Sequence, residues 1–101
     1  LIVQVVGGLL DVVVIGGGQS GLACGYYLRR AGLDHVILDR QVAPGGAWQS
    51  TWPSLRLFSS SAHSSLPGWP MPSHPDVFPP VEHALAYLRE YEGRYDLPVE
   101  R

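Results

Sequence analysis

The chain has 101 residues, 46% of them apolar and 16% charged, with a formal net charge of −2. That length gives one small domain able to bury about two thirds of its unfolded surface; the apolar share excludes a disordered tail, and the lack of a basic patch excludes nucleic acid as an expected partner. The lone cysteine, Cys24, cannot form an internal disulfide, which agrees with a reducing compartment, so a cytoplasmic protein is expected.

The chain begins LIVQVVGGLL, without the charged n-region or cleavage pattern of a signal peptide. Gln4, Gly7, Gly8 and Asp11 interrupt this apolar stretch, which is too short for a membrane span, so no membrane partner is expected. Residues 1–9 read as a frayed extension ahead of the first strand, and the domain proper as starting at residue 10.

Val12 to Ile15 form a short β-branched run of the kind found in a strand buried on both faces, as in a parallel sheet. Gly16, Gly18 and Gly21 follow at the G-x-G-x-x-G spacing of a dinucleotide-binding turn. In that reading Gly16 makes the tight turn, Gly18 lets a pyrophosphate approach the backbone, and Gly21 lets the next helix lie close to the strand. The free amides near Gln19 and Ser20, with the helix dipole, favour bound phosphate. Leu22, Ala23, Tyr26, Tyr27 and Ala31 fall on the helix face expected to cover the sheet. Gly32 suits a left-handed helix end, and Arg29 and Arg30 complement the dipole in the last turn.

His35 to Leu38 read as the second strand, with Asp39 at its C-terminal end. An acidic residue about 20 positions past the glycines is placed to accept hydrogen bonds from the adenosine ribose. Arg40 leaves two readings open, a 2′-phosphate contact of NADP or an ordinary exposed arginine. The stretch Pro44-Gly45-Gly46-Ala47-Trp48 leaves two as well: glycine amides and a flat aromatic face offered to a ligand, or a plain turn with an anchoring aromatic.

Trp52-Pro53 interrupts any helix begun at Gly46, and Leu55 to Phe58 read as a short strand or extended segment. The serines Ser59, Ser60, Ser61, Ser64 and Ser65 read as loop. His63 lies close to them, but neither an elbow motif nor an acidic third member supports a nucleophilic serine. His35, His63, His74 and His83 lack metal-ligand spacing. Six prolines between Leu66 and Pro80 make a stiff connector, expected to be pinned to the surface by Trp69, Met71 and Phe78. A helix resumes at Val81, with Pro80 suited to its first turn and Val81, Leu85, Leu88 and Tyr95 at helical spacing. Leu97-Pro98-Val99 ends it and begins a further strand.

GGGQSG with Asp39, then PGGAW, SLRLFSS and YLREYEGRYDLP, together resemble the N-terminal FAD-binding part of flavin-containing monooxygenase-like proteins, in particular the bacterial oxidoreductases associated with arsenic-resistance operons. The resemblance covers Leu10 to Arg101. It implies an α/β fold, a Rossmann-like FAD-binding βαβ unit with parallel strands, incomplete because such flavoproteins carry two dinucleotide domains. Residues 10–101 would then be the truncated N-terminal part of the FAD/NAD(P)-binding domain. By resemblance Gly16, Gly18 and Gly21, with the amides of Gln19 and Ser20, hold the FAD pyrophosphate. Asp39, in place of the family's commoner glutamate, holds the ribose with Arg40 beside it, and Gly46 and Trp48 lead towards the flavin. Phe58 stands where many members carry an asparagine near the flavin.

The resemblance further implies an NAD(P)H-dependent oxidoreductase in which NADPH reduces FAD and a flavin C4a-hydroperoxide oxygenates a small-molecule substrate. The second glycine motif and the histidine-containing fingerprint that serve NADPH in the family are absent from these residues, so the NAD(P)H site is expected elsewhere and this piece alone is expected to be inactive. Two alternatives stand beside it: a thioredoxin-reductase-like flavin reductase, which would be expected to carry a Cys-x-x-Cys, and a non-catalytic NAD(P)-binding module, which PGGAW disfavours.

Overall fold

The computed structural model describes residues 2–5, 10–52 and 54–101. Four strands, β1 (Ile2–Val5), β2 (Val12–Ile15), β3 (His35–Leu38) and β4 (Val99–Glu100), form one sheet in that spatial order. Strands β2, β3 and β4 run parallel, while β1 lies antiparallel on the free edge of β2 with Ile2 opposite Ile15 and Val5 opposite Val12. Four of the nine residues expected as a frayed extension are therefore sheet. An apolar β-branched segment next to an unpaired strand edge satisfies backbone groups that would otherwise face water. Residues 1 and 6–9 lie outside the described residues.

A clip of polar groups sets the register of β2 on β3. The amides of Asp11 and Val12 both donate to the Asp34 carbonyl, at 2.8 and 3.1 Å, and the Asp11 carboxylate accepts the Asp34 amide at 2.9 Å. Val12 then faces His35 and Ile15 faces Leu38, so the two strands end level. Gly16 and Asp39 emerge side by side, tied by the Gly16 amide on the Leu38 carbonyl at 2.7 Å. Burial alternates along β2: Val12 and Val14 are buried, Val13 is half-buried and Ile15 exposed. The strand is thus covered on one face, not on both as its composition suggested; among the described residues the core lies on the Val12, Val14 and Ile37 side.

Helix α1 (Gln19–Arg30) lies close to the sheet at its first turn. A Cβ on Gly21 would sit 1.8 Å from the Gly16 carbonyl oxygen, so only glycine fits, and Gly16 itself turns at φ +106°. The buried stripe of α1 is Gly21, Leu22 and Gly25, with Cys24, Tyr26 and Leu28 packed at its margin. Tyr27 and Ala31, expected on the covering face, are exposed. Gly25 brings the helix so near Ile37 that the contact line runs through the small residues and Tyr27 is turned outward. At the other end Gly32 takes φ +73°, and the Gly32 and Leu33 amides close onto the Arg29 and Leu28 carbonyls.

Helix α2 (Val81–Arg94) starts with Pro80 at its N-cap, just ahead of the first turn. Its buried residues are Val81, Ala84, Tyr87, Leu88 and Tyr91. This stripe is rotated from the one centred on Val81, Leu85, Leu88 and Tyr95, because two tyrosines enter the core by spending their hydroxyls on the proline-rich segment. Tyr87 donates to the Trp69 carbonyl and Tyr91 to the Pro67 carbonyl, both at 2.5 Å, while the Leu66 amide donates to the Tyr87 oxygen at 2.7 Å. Trp69 stacks on Tyr87 with ring centroids 5.1 Å apart, and Met71 is buried, as expected of pinning residues. Phe78, expected to pin the segment as well, is 50% exposed and outside the core; Pro79 is buried instead. Residues 55–58 make no strand, only a single bridge from Arg56 to Pro80.

Candidate functional site

The level ends of β2 and β3 and the start of α1 enclose the site. Gly18 caps α1 in extended conformation, without a side-chain cap, and no acidic residue stands in the first turn. The first helical bond runs from the Leu22 amide to the Gly18 carbonyl at 2.9 Å, so the amides of Gln19, Ser20 and Gly21 have no carbonyl within the helix. A cleft over this helix end is lined by Gly16, Gly18, Gln19, Ser20 and Gly21, with Ala47 and Trp48 opposite. The amides and the positive end of the helix dipole give this cleft an affinity for anions.

PGGAW forms the facing wall. It opens a 3₁₀ turn, Gly46–Ser50, in which Gly46 takes φ +54°. A Cβ on Gly46 would fall 2.7 Å from the Gly18 Cα, so the two glycine-rich segments touch backbone to backbone. The Gln49 side-chain amide holds the loop by donating to the Ala43 and Pro44 carbonyls. The Trp48 indole N–H reaches the Gln19 side-chain oxygen at 3.4 Å, carrying the ring to the helix start. Of the two readings of PGGAW, the contact with Gly18 favours a wall of the cleft over a free-standing turn.

Asp39 is 7% exposed. Its Oδ1 accepts the Gln41 amide at 3.2 Å, and its carboxyl packs on Gly17, where a Cβ would come within 2.8 Å of Cγ. Its Oδ2 lies 3.3 Å from Arg101 Nε, close enough for an ion pair, yet takes no aligned hydrogen bond among the described residues. Arg101 spends its two terminal nitrogens on Glu92, at 2.8 and 2.7 Å, and these bonds raise the guanidinium above its ordinary range. Arg40 is exposed and lines a second cleft, together with Asp39, Gln41, Gly46, Ala47, Glu100 and Arg101.

A third cavity, of about 290 Å³, begins where Gln19 and Trp48 end the helix cleft and runs between Phe58, Ser59, Met71 and the Tyr87 and Leu88 face of α2. The three share lining residues in series: Gly16, Gly18 and Ala47 join the Asp39 cleft to the helix cleft, and Gln19 and Trp48 join that to the third. Laid in series along these shared residues, the three make a segmented groove, with a carboxylate in the first, free amides in the middle one and aromatic walls in the last. All nine expected residues (Gly16, Gly18, Gln19, Ser20, Gly21, Asp39, Arg40, Gly46 and Trp48) are brought to it or to its wall.

Sequence reasoning missed Gly17, Arg101 and Glu92. Gly17 could have been found as the middle glycine of GGG, opposite the strand-end acid; Arg101 and Glu92 carry no motif. The serine cluster forms a local polar knot, with Ser60 Oγ 2.9 Å from His63 Nδ1 and Ser59 Oγ 2.7 Å from Ser64 Oγ. No cluster of metal-ligating side chains occurs, and no helix is long and apolar enough to cross a membrane, among the described residues.

The site suits an extended dinucleotide cofactor on its own chemistry: Asp39 has an unspent buried oxygen, and a Cβ on Gly18 would meet nothing nearer than the Gly46 Cα at 3.8 Å, leaving room over the turn. Comparison with known proteins agrees. The chain is 36% identical over 92 residues to an uncharacterized oxidoreductase, CzcO, of Bacillus subtilis, covering 91% of this chain and 27% of that protein. It superposes on the flavin-containing monooxygenase from Stenotrophomonas maltophilia with a TM-score of 0.86 and 60% identity, over 88% of this chain and 27% of that one. It superposes on the bacillithiol disulfide reductase Bdr (YpdA) of Staphylococcus aureus with a TM-score of 0.76 and 28% identity, over 87% and 27%. The chain thus spans roughly a quarter of the length of these relatives. Residues 11–101, from the polar clip before β2 to Arg101, match the family described as FAD dependent oxidoreductase (DAO), and the chain belongs to that family.

Proposed function

We propose that this chain is the FAD-binding portion of an NAD(P)H-dependent flavoprotein oxidoreductase of the monooxygenase type, acting on a small molecule. The observation that carries the reading is the series of three clefts, joined by shared lining residues, from Asp39 through the α1 N-terminus to the Trp48 cavity. FAD has the same sequence of chemical parts: a ribose with hydroxyl donors, an anionic pyrophosphate and a flat aromatic ring. Asp39 holds the ribose. Gly16, Gly18 and Gly21 let the pyrophosphate reach the amides of Gln19 and Ser20. Gly46 and Trp48 wall the passage towards the flavin, and the buried Met71, Tyr87 and Leu88 give its end an apolar lining. Arg40 lies at the solvent side of the ribose end.

FAD bound here would supply the electron transfer, and in a monooxygenase the reaction with oxygen; the protein's part is binding, orientation and shielding. NAD(P)H is the co-substrate, with its site outside these residues, and residues 10–101 alone are inactive. The lone Cys24 accords with a cytoplasmic setting. The likeness to the 60% identical flavin-containing monooxygenase supports the oxygenating type. The likeness to the disulfide reductase favours a second reading, a flavin reductase without oxygen insertion.

The test uses the full-length protein purified with FAD. A bound-flavin visible spectrum, bleached by NADPH or NADH and restored with oxygen uptake, is the expected result. Bleaching by pyridine nucleotide with electrons passing to a disulfide would favour the reductase. A protein that takes NADP into the glycine-rich turn and never flavin would refute both.

A further inference from the structure

We propose that Arg101 is the positioning residue for Asp39, and through it for the adenosine ribose; the inference rests on the FAD reading above. Three elements converge on this side chain. The β3–β4 ladder sets it: the Asp39 amide donates to the Glu100 carbonyl at 2.9 Å, which places residue 101 directly beside Asp39. Helix α2 pins it: Glu92, near the C-terminal end, takes the two terminal nitrogens of the guanidinium in a bidentate pair. The remaining nitrogen, Nε, lies 3.3 Å from Asp39 Oδ2, and the Arg101 side chain is only 20% exposed.

The division of contacts gives the pair its purpose. A buried carboxylate without a counter-charge is costly and tends to neutralise. Here the cation sits close enough to compensate Asp39, while its directed hydrogen bonds go to Glu92. Asp39 Oδ2 consequently keeps its accepting capacity. A buried acceptor that is charge-compensated but has no aligned donor is suited to a donor arriving with the ligand, and a ribose hydroxyl is one. Gly17 behind the carboxyl and the Gln41 amide on Oδ1 fix its direction. Without Arg101, Asp39 and Glu92 would be left as neighbouring uncompensated acids.

A double-mutant cycle on the full-length protein separates this role from plain structural support. Flavin-fluorescence titration gives the FAD dissociation constant, and a circular-dichroism melt monitors the fold. Arg101→Met keeps the aliphatic stem and removes the charge; it is expected to weaken FAD binding about tenfold when Asp39 is present and less than about twofold in the Asp39→Ala background, a coupling typical of residues in direct contact. Arg101→Lys, which keeps a charge beside Asp39, is expected to restore most of the affinity. Should Arg101→Met melt below the assay temperature, Glu92→Gln, which unpins the guanidinium, runs the same cycle with the same criteria. Equal losses in both backgrounds would make Arg101 structural support and overturn the proposal, as would no loss or a failure of lysine to rescue. Wild-type protein that binds no FAD would instead overturn the cofactor reading itself.

Discussion

Asp39 shows how a single side chain is prepared by its neighbours. Its position follows from β3 ending level with β2; its direction follows from the Gln41 amide, and its closeness to the turn from the missing Cβ of Gly17. A charged acceptor bonded to ribose contributes about 1.5–3 kcal/mol. Asp39→Ala is therefore expected to weaken FAD binding by about one to two orders of magnitude. Binding of FMN, which has no adenosine ribose, should be unchanged; equal losses for the two flavins, read by fluorescence titration, would remove Asp39 from the ribose. At this scale the sequence was legible where a motif spaces its residues. Gly16, Gly18, Gly21 and Asp39 stand in one βαβ unit, so their separation along the chain dictates their separation in space. Arg101 was not legible, because its place depends on the register of β4 and on a partner in α2.

Among the elements, α2 departs furthest from what its pattern suggested. Apolar spacing selected Leu85 and Tyr95, whereas Tyr87 and Tyr91 take the centre of the stripe. A tyrosine enters a core when its hydroxyl has a partner, and the partners here are carbonyls of a proline-rich segment that has few amides to bond them otherwise. Such a pairing of distant elements is invisible to periodicity. The burial of β2 misled for a related reason: a β-branched run reports what a strand can bury, and only one face is covered among the described residues. Burial pushes the Tyr91 hydroxyl well above the ordinary tyrosine range, and Tyr87 is raised by the same cause. A tyrosine whose folded pKa is raised stabilises the fold fully below the unfolded value near 10, and that contribution is lost as the pH climbs above it. Denaturation midpoints are thus expected to fall steeply above about pH 10. Tyr91→Phe should cost about 1–3 kcal/mol at neutral pH, by stranding the Pro67 carbonyl, and should flatten the alkaline fall. A variant with an unchanged alkaline limb would show that Tyr91 is not the group responsible.

For the whole molecule, one core joins the sheet, both helices and the proline-rich segment. Several large apolar side chains stay outside it: Phe58 is 91% exposed, Val77 71% and Trp52 62%. Ile15 and Leu38, at the strand ends beside the groove, are also exposed. Apolar surface of this kind marks interaction sites in a complete protein and self-association in an isolated piece. β1 covers one edge of β2, yet β4 pairs through only two residues. Residues 1–101 expressed alone are expected to be poorly soluble or molten, to hold FAD weakly and to oxidise no NADPH. Size exclusion, a thermal melt with and without FAD, and a nucleotide-consumption assay check this; a sharply melting monomer that turns over NADPH would contradict it.

If the glycine-rich turn and PGGAW together cradle the pyrophosphate of FAD, Gly18 is the position where a side chain would be felt first. Its backbone is extended, and the Gly46 Cα at 3.8 Å is the nearest atom a Cβ would meet, so the turn does not require glycine for its own geometry. The ligand does, if the pyrophosphate passes over that Cα. FAD content and the circular-dichroism melt should be measured side by side for full-length wild type and Gly18→Val. Stoichiometric flavin is expected in the wild type, and in the variant flavin lost with the fold largely kept. Full flavin occupancy in Gly18→Val would contradict that cradle.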